Sequence, residues 1–205
     1  KERDSNMFNT DAKVISELSK SSPKYTLATL IFTNGTIRTK LYRMMTDMTE
    51  VKKKGSKATC LNNTSKNRAY KYIQKNYRYL HSVIHSDYMT TAEKMADLME
   101  IPNIGPAKAG FILQMCIGEV GCIDCHNRNM FNIDVKDITL SKPAKLATKL
   151  KISQNYIKLC EELGGTEFLW DNWCEFIAGE YPTKFKDAQD VSKLHVDAIV
   201  SVAGK

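Results

Sequence analysis

Residues 98–113, LMEIPNIGPAKAGFIL, place apolar side chains at 98, 101, 104, 112 and 113 and a small one at 109, around the hairpin Pro102-Asn103-Ile104-Gly105. A turn this tight, running into a helix that opens at Pro106, points backbone amides outward at an anion. A phosphodiester fits there without any base being read. Asn103 tolerates left-handed backbone angles that most residues avoid, so the turn can form without glycine at that position. Lys108, in the first turn of the helix, can add a phosphate contact. Further on, Gly118-Glu-Val-Gly121-Cys-Ile123-Asp124-Cys125-His126 supplies a carboxylate. Such a group can cap the helix starting near Cys125 or His126, or serve in acid–base chemistry. Cys122 and Cys125 form one Cys-x-x-Cys pair with Cys116 and His126 nearby, but structural zinc sites pair two such knuckles and the second is missing. Buried thiols are the expectation, with no metal bound by side chains. His81 and His85 are helical neighbours with no Glu between them in the zinc-protease arrangement, and are assigned to a half-exposed helix face.

The elements that must position these residues read as helices almost throughout. Apolar spacing places helices at 10–18, at 25–32 after Pro23, and at 37–47, with the second stopping at the turn formers Thr33-Asn34-Gly35-Thr36. The stretch VKKKGSKATCLNNTS, 51–65, is basic, lacks periodicity and is expected to be a loop, either mobile or ordered by a partner. From Lys66, one face carries Tyr70, Ile73, Tyr77, Leu80 and Ile84, and the other largely Arg68, Lys71, Lys75 and Arg78. Tyr72 and Tyr79 join Tyr70 and Tyr77 as aromatics interleaved with basic residues; such rings can stack on bases, although Tyr70 and Tyr77 fit a core. Further helices are expected at 91–99, 106–117, from Arg128 onward, and at 144–151, 154–163, 168–177 and 190–199, the 168–177 helix burying Phe168 or Leu169 with Trp173 and Phe176. No strand-like alternation persists, so the fold class is all-α.

Charge adds a partner. The net charge is +7, but residues 1–90 hold 17 basic against 7 acidic side chains, +10, while the remainder carries 13 against 16, −3. A basic half suits a polyanion, and nucleic acid is favoured because each neutralised phosphate releases condensed counterions. No apolar run approaches a membrane span, the opening residues lack a signal-peptide core, and six cysteines without framework spacing suit reduced thiols. The chain is expected to be intracellular, cytoplasmic or nucleoid-associated, and to act as a monomer.

The hairpin, the spacing to Ile123-Asp124-Cys125-His126, and the upstream segment Leu27-Ala-Thr-Leu-Ile-Phe-Thr-Asn34-Gly35-Thr36 together resemble the helix-hairpin-helix DNA glycosylase superfamily, which includes endonuclease III, adenine DNA glycosylase and 8-oxoguanine glycosylase. The likeness covers roughly residues 23–131. It implies two helical lobes, approximately 1–35 with 140–205 and 36–139, and an active-site cleft between them. It implies double-stranded DNA as partner, gripped by Asn103, Ile104, Gly105, Ala107 and Lys108. Asn34, Gly35 and Thr36 would probe the gap left by a flipped nucleotide. Asp124 would be the catalytic carboxylate, and a monovalent cation would sit on the carbonyls of Met99, Ile101 and Ile104.

Departures from the family pattern narrow the reaction. The nucleophilic Lys of bifunctional members falls at Ala107, and Lys108 lies about 100° further round a helix. The expected enzyme is therefore a monofunctional glycosylase without Schiff-base chemistry. The four-Cys iron–sulfur signature is absent, so no cluster and no cofactor are expected, and Arg128 follows Asp124 at four residues where the family has five. Two other readings keep the fold: group transfer at the base, as in phage-type pyrimidine hypermodification, and a non-catalytic DNA-binding module.

Overall fold

The computed structural model describes residues 11–140 and 144–204, which form helices joined by turns, with no strand among the described residues. In chain order they are α1 (Lys13–Ser21), α2 (Pro23–Thr36), α3 (Met44–Lys54), α4 (Thr64–Ile84), α5 (Thr91–Leu98), α6 (Pro106–Ile117), α7 (Cys125–Met130), α8 (Leu146–Glu162), α9 (Gly165–Glu180) and α10 (Ala188–Ala203). None is long and apolar enough to cross a membrane. The all-α expectation holds.

Two helices organise the rest. α2 and α6 each open on a proline, which presets the first helical turn and gives up an amide that would have gone unpaired. Both are buried on nearly every side, the pattern of a helix surrounded by others. They pack on each other, with Phe32 and Phe111 ring centroids 6.3 Å apart. α1 lies across both, α4 and α10 cover α2, and α5 and α8 flank α6. α4 buries Tyr70, Ile73, Leu80 and Ile84 while Arg68, Lys71, Lys75 and Arg78 face solvent, as the periodicity demanded. Tyr77 of the same stripe is only half-buried.

Several boundaries differ from the sequence reading. α2 does not stop at the turn formers but runs through Thr36. The Thr33 hydroxyl donates to the carbonyl of Thr29 at 2.8 Å, and buried Lys66 caps the helix end by donating to Gly35 O at 2.8 Å. Gly35 serves a close approach, because a Cβ there would lie 2.8 and 2.9 Å from the methyls of Met48 and Met44. The helix expected at 37–47 is replaced by a turn, the 3-10 segment Leu41–Arg43 and then α3.

The stretch expected to be a mobile or partner-ordered loop is organised: α3 continues to Lys54, Gly55 turns it at φ 56°, and 3-10 segments follow at Gly55–Lys57 and Thr59–Leu61. The Glu50 carboxylate gathers the amide and hydroxyl of Thr59 at 3.0 and 2.9 Å. The two helices expected at 144–151 and 154–163 are one, α8, with Ser153 buried in its middle. In α9 it is Leu169 and Trp170 that are buried outright, while Phe168 is exposed.

His81 and His85 do more than occupy a helix face. Thr26 Oγ1 pairs with His81 Nδ1 at 2.8 Å and with Ser19 Oγ at 2.8 Å, and Ser19 reaches His85 Nε2 at 3.0 Å, tying α4 to α1 and α2. Burial, with the positive charges of His81, Lys94 and Lys20, pushes the His85 pKa from 6.5 down to about 4. The unfolded chain then binds more protons than the folded one between those values. Stability is expected to be full above pH 6.5 and to fall as pH drops from 6.5 towards 4. Urea midpoints measured across that range should show the slope, and His85→Gln should reduce it, leaving the part that comes from His195, likewise held down at about 4 by burial.

Candidate active site

Residues 121–123 lead into Asp124 without regular secondary structure and with no neighbouring strand, so their backbone groups depend on side chains. The Gly121 amide donates to Cys160 Sγ at 2.9 Å, and the Gly121 carbonyl accepts from the Tyr156 hydroxyl at 3.1 Å. That hydroxyl in turn accepts from the Ile123 amide at 2.5 Å. The Cys122 amide donates to Gln114 Oε1 at 3.2 Å, and its carbonyl accepts from Asn127 Nδ2 at 2.6 Å. Three helices, α6, α7 and α8, thus hold three residues. Space is equally constrained: a Cβ on Gly110 would meet Gly121 O at 2.9 Å, and one on Gly121 would meet Leu169 Cδ1 at 2.5 Å. Val120 adopts φ 54°, a left-handed angle that costs a β-branched residue energy, so packing is holding it there.

Asp124 is delivered by this segment as the N-cap of α7. Its Oδ1 accepts from the amides of His126 and Asn127 at 2.9 and 3.2 Å, and its Oδ2 accepts from Trp173 Nε1 of α9 at 3.2 Å. Arg128 folds back to donate through Nε to the Asp124 carbonyl at 3.2 Å. The carboxylate borders a cavity of about 450 Å³. Buried Phe111, Trp170 and His195 lie on its inner wall together with half-buried Trp173, and Arg38, Lys40, Lys108 and Arg128 also line it. Among its described lining residues Asp124 is the one carboxylate. A void of this size, mostly apolar with a few directed polar groups, suits a small flat molecule.

The α5–α6 turn abuts the same cavity through Asn103. Asn103 takes φ 69°, and a Cβ on Gly105 would meet nothing within 4 Å, so the turn exposes its backbone. α6 has no side-chain cap, and Ala107, its second residue, has no carbonyl within the helix to receive its amide. The Ile104 amide is spent on Ile101 O at 3.1 Å. A second cavity of about 370 Å³ shares Ile37, Arg38, Thr39 and Asn103 with the first and reaches Ser65 at the start of α4. Asp124, Asn103, Ala107, Lys108 and Thr36 are therefore brought together around one opening. Lys108 Nζ donates to Thr36 Oγ1 at 3.2 Å and lies 5.4 Å from the centroid of the Phe111 ring.

Two expectations need correction. Asn34 and Gly35 do not form an exposed loop; both are buried in the last turns of α2, and Asn34 Nδ2 donates to Lys66 O at 2.9 Å. The chain reverses later, at exposed Arg38 with φ 53°, beside the cavity. The carbonyls of Met99, Ile101 and Ile104 do not fit an open ring for a monovalent cation. Lys149 Nζ already donates to Met99 O at 3.3 Å while pairing with Glu100 at 2.5 Å, and Ile101 O holds the Ile104 amide.

Among the described residues Cys122 and Cys125 do not fall in one cluster of three or more potential ligands. A different trio, Asp124, Cys125 and His126, has potential ligand atoms within 4.8 Å of one another, but both Asp124 oxygens are already committed to N–H donors. Burial pushes the Cys122 thiol up to about 12, well away from a thiolate.

Sequence reasoning missed Trp173 as a partner of Asp124, and Gln114, Tyr156, Cys160 and His195 altogether. Trp173 was legible only as an apolar position on α9, and the others lie 8 or more residues from Asp124 with no spacing that links them to it. Comparisons with family models, with curated proteins and with solved structures return no match.

Tyr156→Phe would strip two buried backbone groups of their partner and is expected to lower stability by about 1–3 kcal/mol. Gly110→Ala forces a backbone shift and is expected to cost a similar ~1–3 kcal/mol. Denaturant titrations at unchanged slope would check both.

Proposed function

We propose that this chain is a monofunctional DNA glycosylase, acting on a base turned out of the duplex. The observation that carries the reading is the placement of Asp124: a carboxylate fixed by α7 amides and Trp173, at an aromatic-walled cavity beside an uncapped helix start. In this reading α5, the turn at 99–105 and α6 are a helix-hairpin-helix motif, and its Ala107 amide and Lys108 hold one phosphodiester. The groove shared by the two cavities follows the strand past Arg38 and Asn103 to the start of α4. Arg38, rather than Asn34, is the residue placed to enter the gap left by the extruded nucleotide. Exposed Arg68, Lys71, Lys75 and Arg78 supply attraction that depends on counterion release.

Extrusion of the base costs a few kcal/mol, least for a damaged or mispaired nucleotide. The bond from the base nitrogen to the sugar then breaks, its electron pair leaving with the base, which takes up a proton. Positive charge builds on the deoxyribose, and the half-buried Asp124 carboxylate stabilises it. A water oxygen bonds to the same sugar carbon and gives its proton to Asp124. No amine is needed: Ala107 offers none, and in this reading Lys108 is given to the phosphodiester.

Asp124→Asn is expected to cut turnover by about a hundredfold or more while DNA binding persists. Trp173→Phe, which frees Oδ2 of its partner, should lower kcat by about tenfold and leave KM within about twofold. Duplexes carrying uracil, mismatched thymine, 5-hydroxymethyluracil, oxidised guanine or alkylated purines are the substrates to try. Strand breaks should appear only after alkali, and affinity should fall steeply with added salt. Scission without alkali, or full activity in Asp124→Asn, would overturn the proposal.

A further inference from the structure

The most isolated polar atom at the cavity is Nε2 of His195. The ring is 1% exposed, and Nε2 is buried with no hydrogen-bond partner. Its other nitrogen, Nδ1, lies 2.8 Å from Val191 O. A backbone carbonyl can only accept, so Nδ1 carries the proton and Nε2 presents a bare lone pair. Burial holds the pKa down at about 4, which keeps that lone pair free at neutral pH. The ring is fixed by its neighbours: centroids of Trp170, Phe32, Trp173 and Phe111 lie 4.8, 5.4, 5.4 and 5.9 Å away. His195, Trp170, Trp173 and Phe111 all line the cavity, and Trp173 also holds Asp124.

An unpaired acceptor buried among aromatic rings is costly unless a ligand answers it. A flat heteroaromatic ring can lie against Trp173 and Phe111 and satisfy Nε2 with an N–H, while the cationic residues around the cavity meet its phosphate. We infer that His195 is the specificity-determining residue of this cavity: it accepts a hydrogen bond from an N–H on the inner edge of an extruded nucleobase, and so refuses a base that offers only acceptors or an N-methyl group there. This rests on the glycosylase reading for its substrate but not for its chemistry, since it concerns recognition alone. A base lacking the donor would leave the His195 lone pair unmet, and the site would bind it more weakly for that reason.

The test uses the full chain labelled with nitrogen isotope in histidine. The probes are the deoxynucleoside monophosphates, including deoxyuridine monophosphate, and counterparts methylated at the donor nitrogen. At least one donor-bearing nucleotide should shift the His195 Nε2 resonance as expected for an accepted hydrogen bond, and should bind about tenfold more tightly than its N-methyl counterpart. His195→Phe should bind the two forms equally; if it fails to fold, the wild-type resonance and the wild-type ratio decide. A resonance that stays put while a nucleotide binds, equal affinity for the two forms, or binding of no donor-bearing nucleotide overturns the inference. Excision from duplexes with an unmoved resonance would overturn it and leave the glycosylase intact. A responsive resonance with no excision from any duplex would do the reverse.

Discussion

Three residues with no strand beside them fix where Asp124 stands. Gly121, Cys122 and Ile123 lie outside any helix or strand and are buried or half-buried, and a backbone in that state must find partners or forfeit stability. Its partners are Gln114, Asn127, Tyr156 and Cys160, drawn from helices before and after it in the chain. The helical scaffold around α6 thus acts as a clamp on one segment, and Asp124 is the first residue beyond the clamp. Its carboxylate inherits a fixed position without being locked into a salt bridge, because its own bonds come from backbone amides and an indole. Such donors orient the group and leave its charge to act.

Trp173 links two parts of the site. One edge of its ring donates to Asp124, and its ring stands near His195 and lines the cavity. The residue that orients the carboxylate is thus also part of the cavity wall. The cationic residues complete a division of labour: apolar rings for a flat body, positive charge for an anion, one negative group where the two meet.

Helices whose apolar stripe is packed against a neighbour were legible in the sequence. α6 begins and ends at the residues its proline and glycine punctuation indicated, and α4 buries the stripe its periodicity drew, apart from half-buried Tyr77. Where tertiary contacts override local preference, the reading failed. Thr33, Asn34 and Gly35 look like a turn, yet hydroxyl back-bonding, the Lys66 cap and the methyls of Met44 and Met48 hold them in a helix. The basic stretch after Val51 lacks periodicity because it is held by single polar contacts, chiefly those of Glu50 and Asn67. Asp124 stood out from its neighbours in sequence. His195 did not, since a solitary histidine in a polar tail gives no sign that a helix will carry it among four aromatic rings.

Cys160 gives the clamp a chemical character of its own. Its sulfur is the partner of the Gly121 amide, and burial holds its pKa above the ordinary thiol value. Peroxides and disulfides attack the thiolate, so a sulfur kept protonated and sheltered is a poor target. The fastening that sets the Asp124 carboxylate in place is thus intrinsically resistant to oxidants.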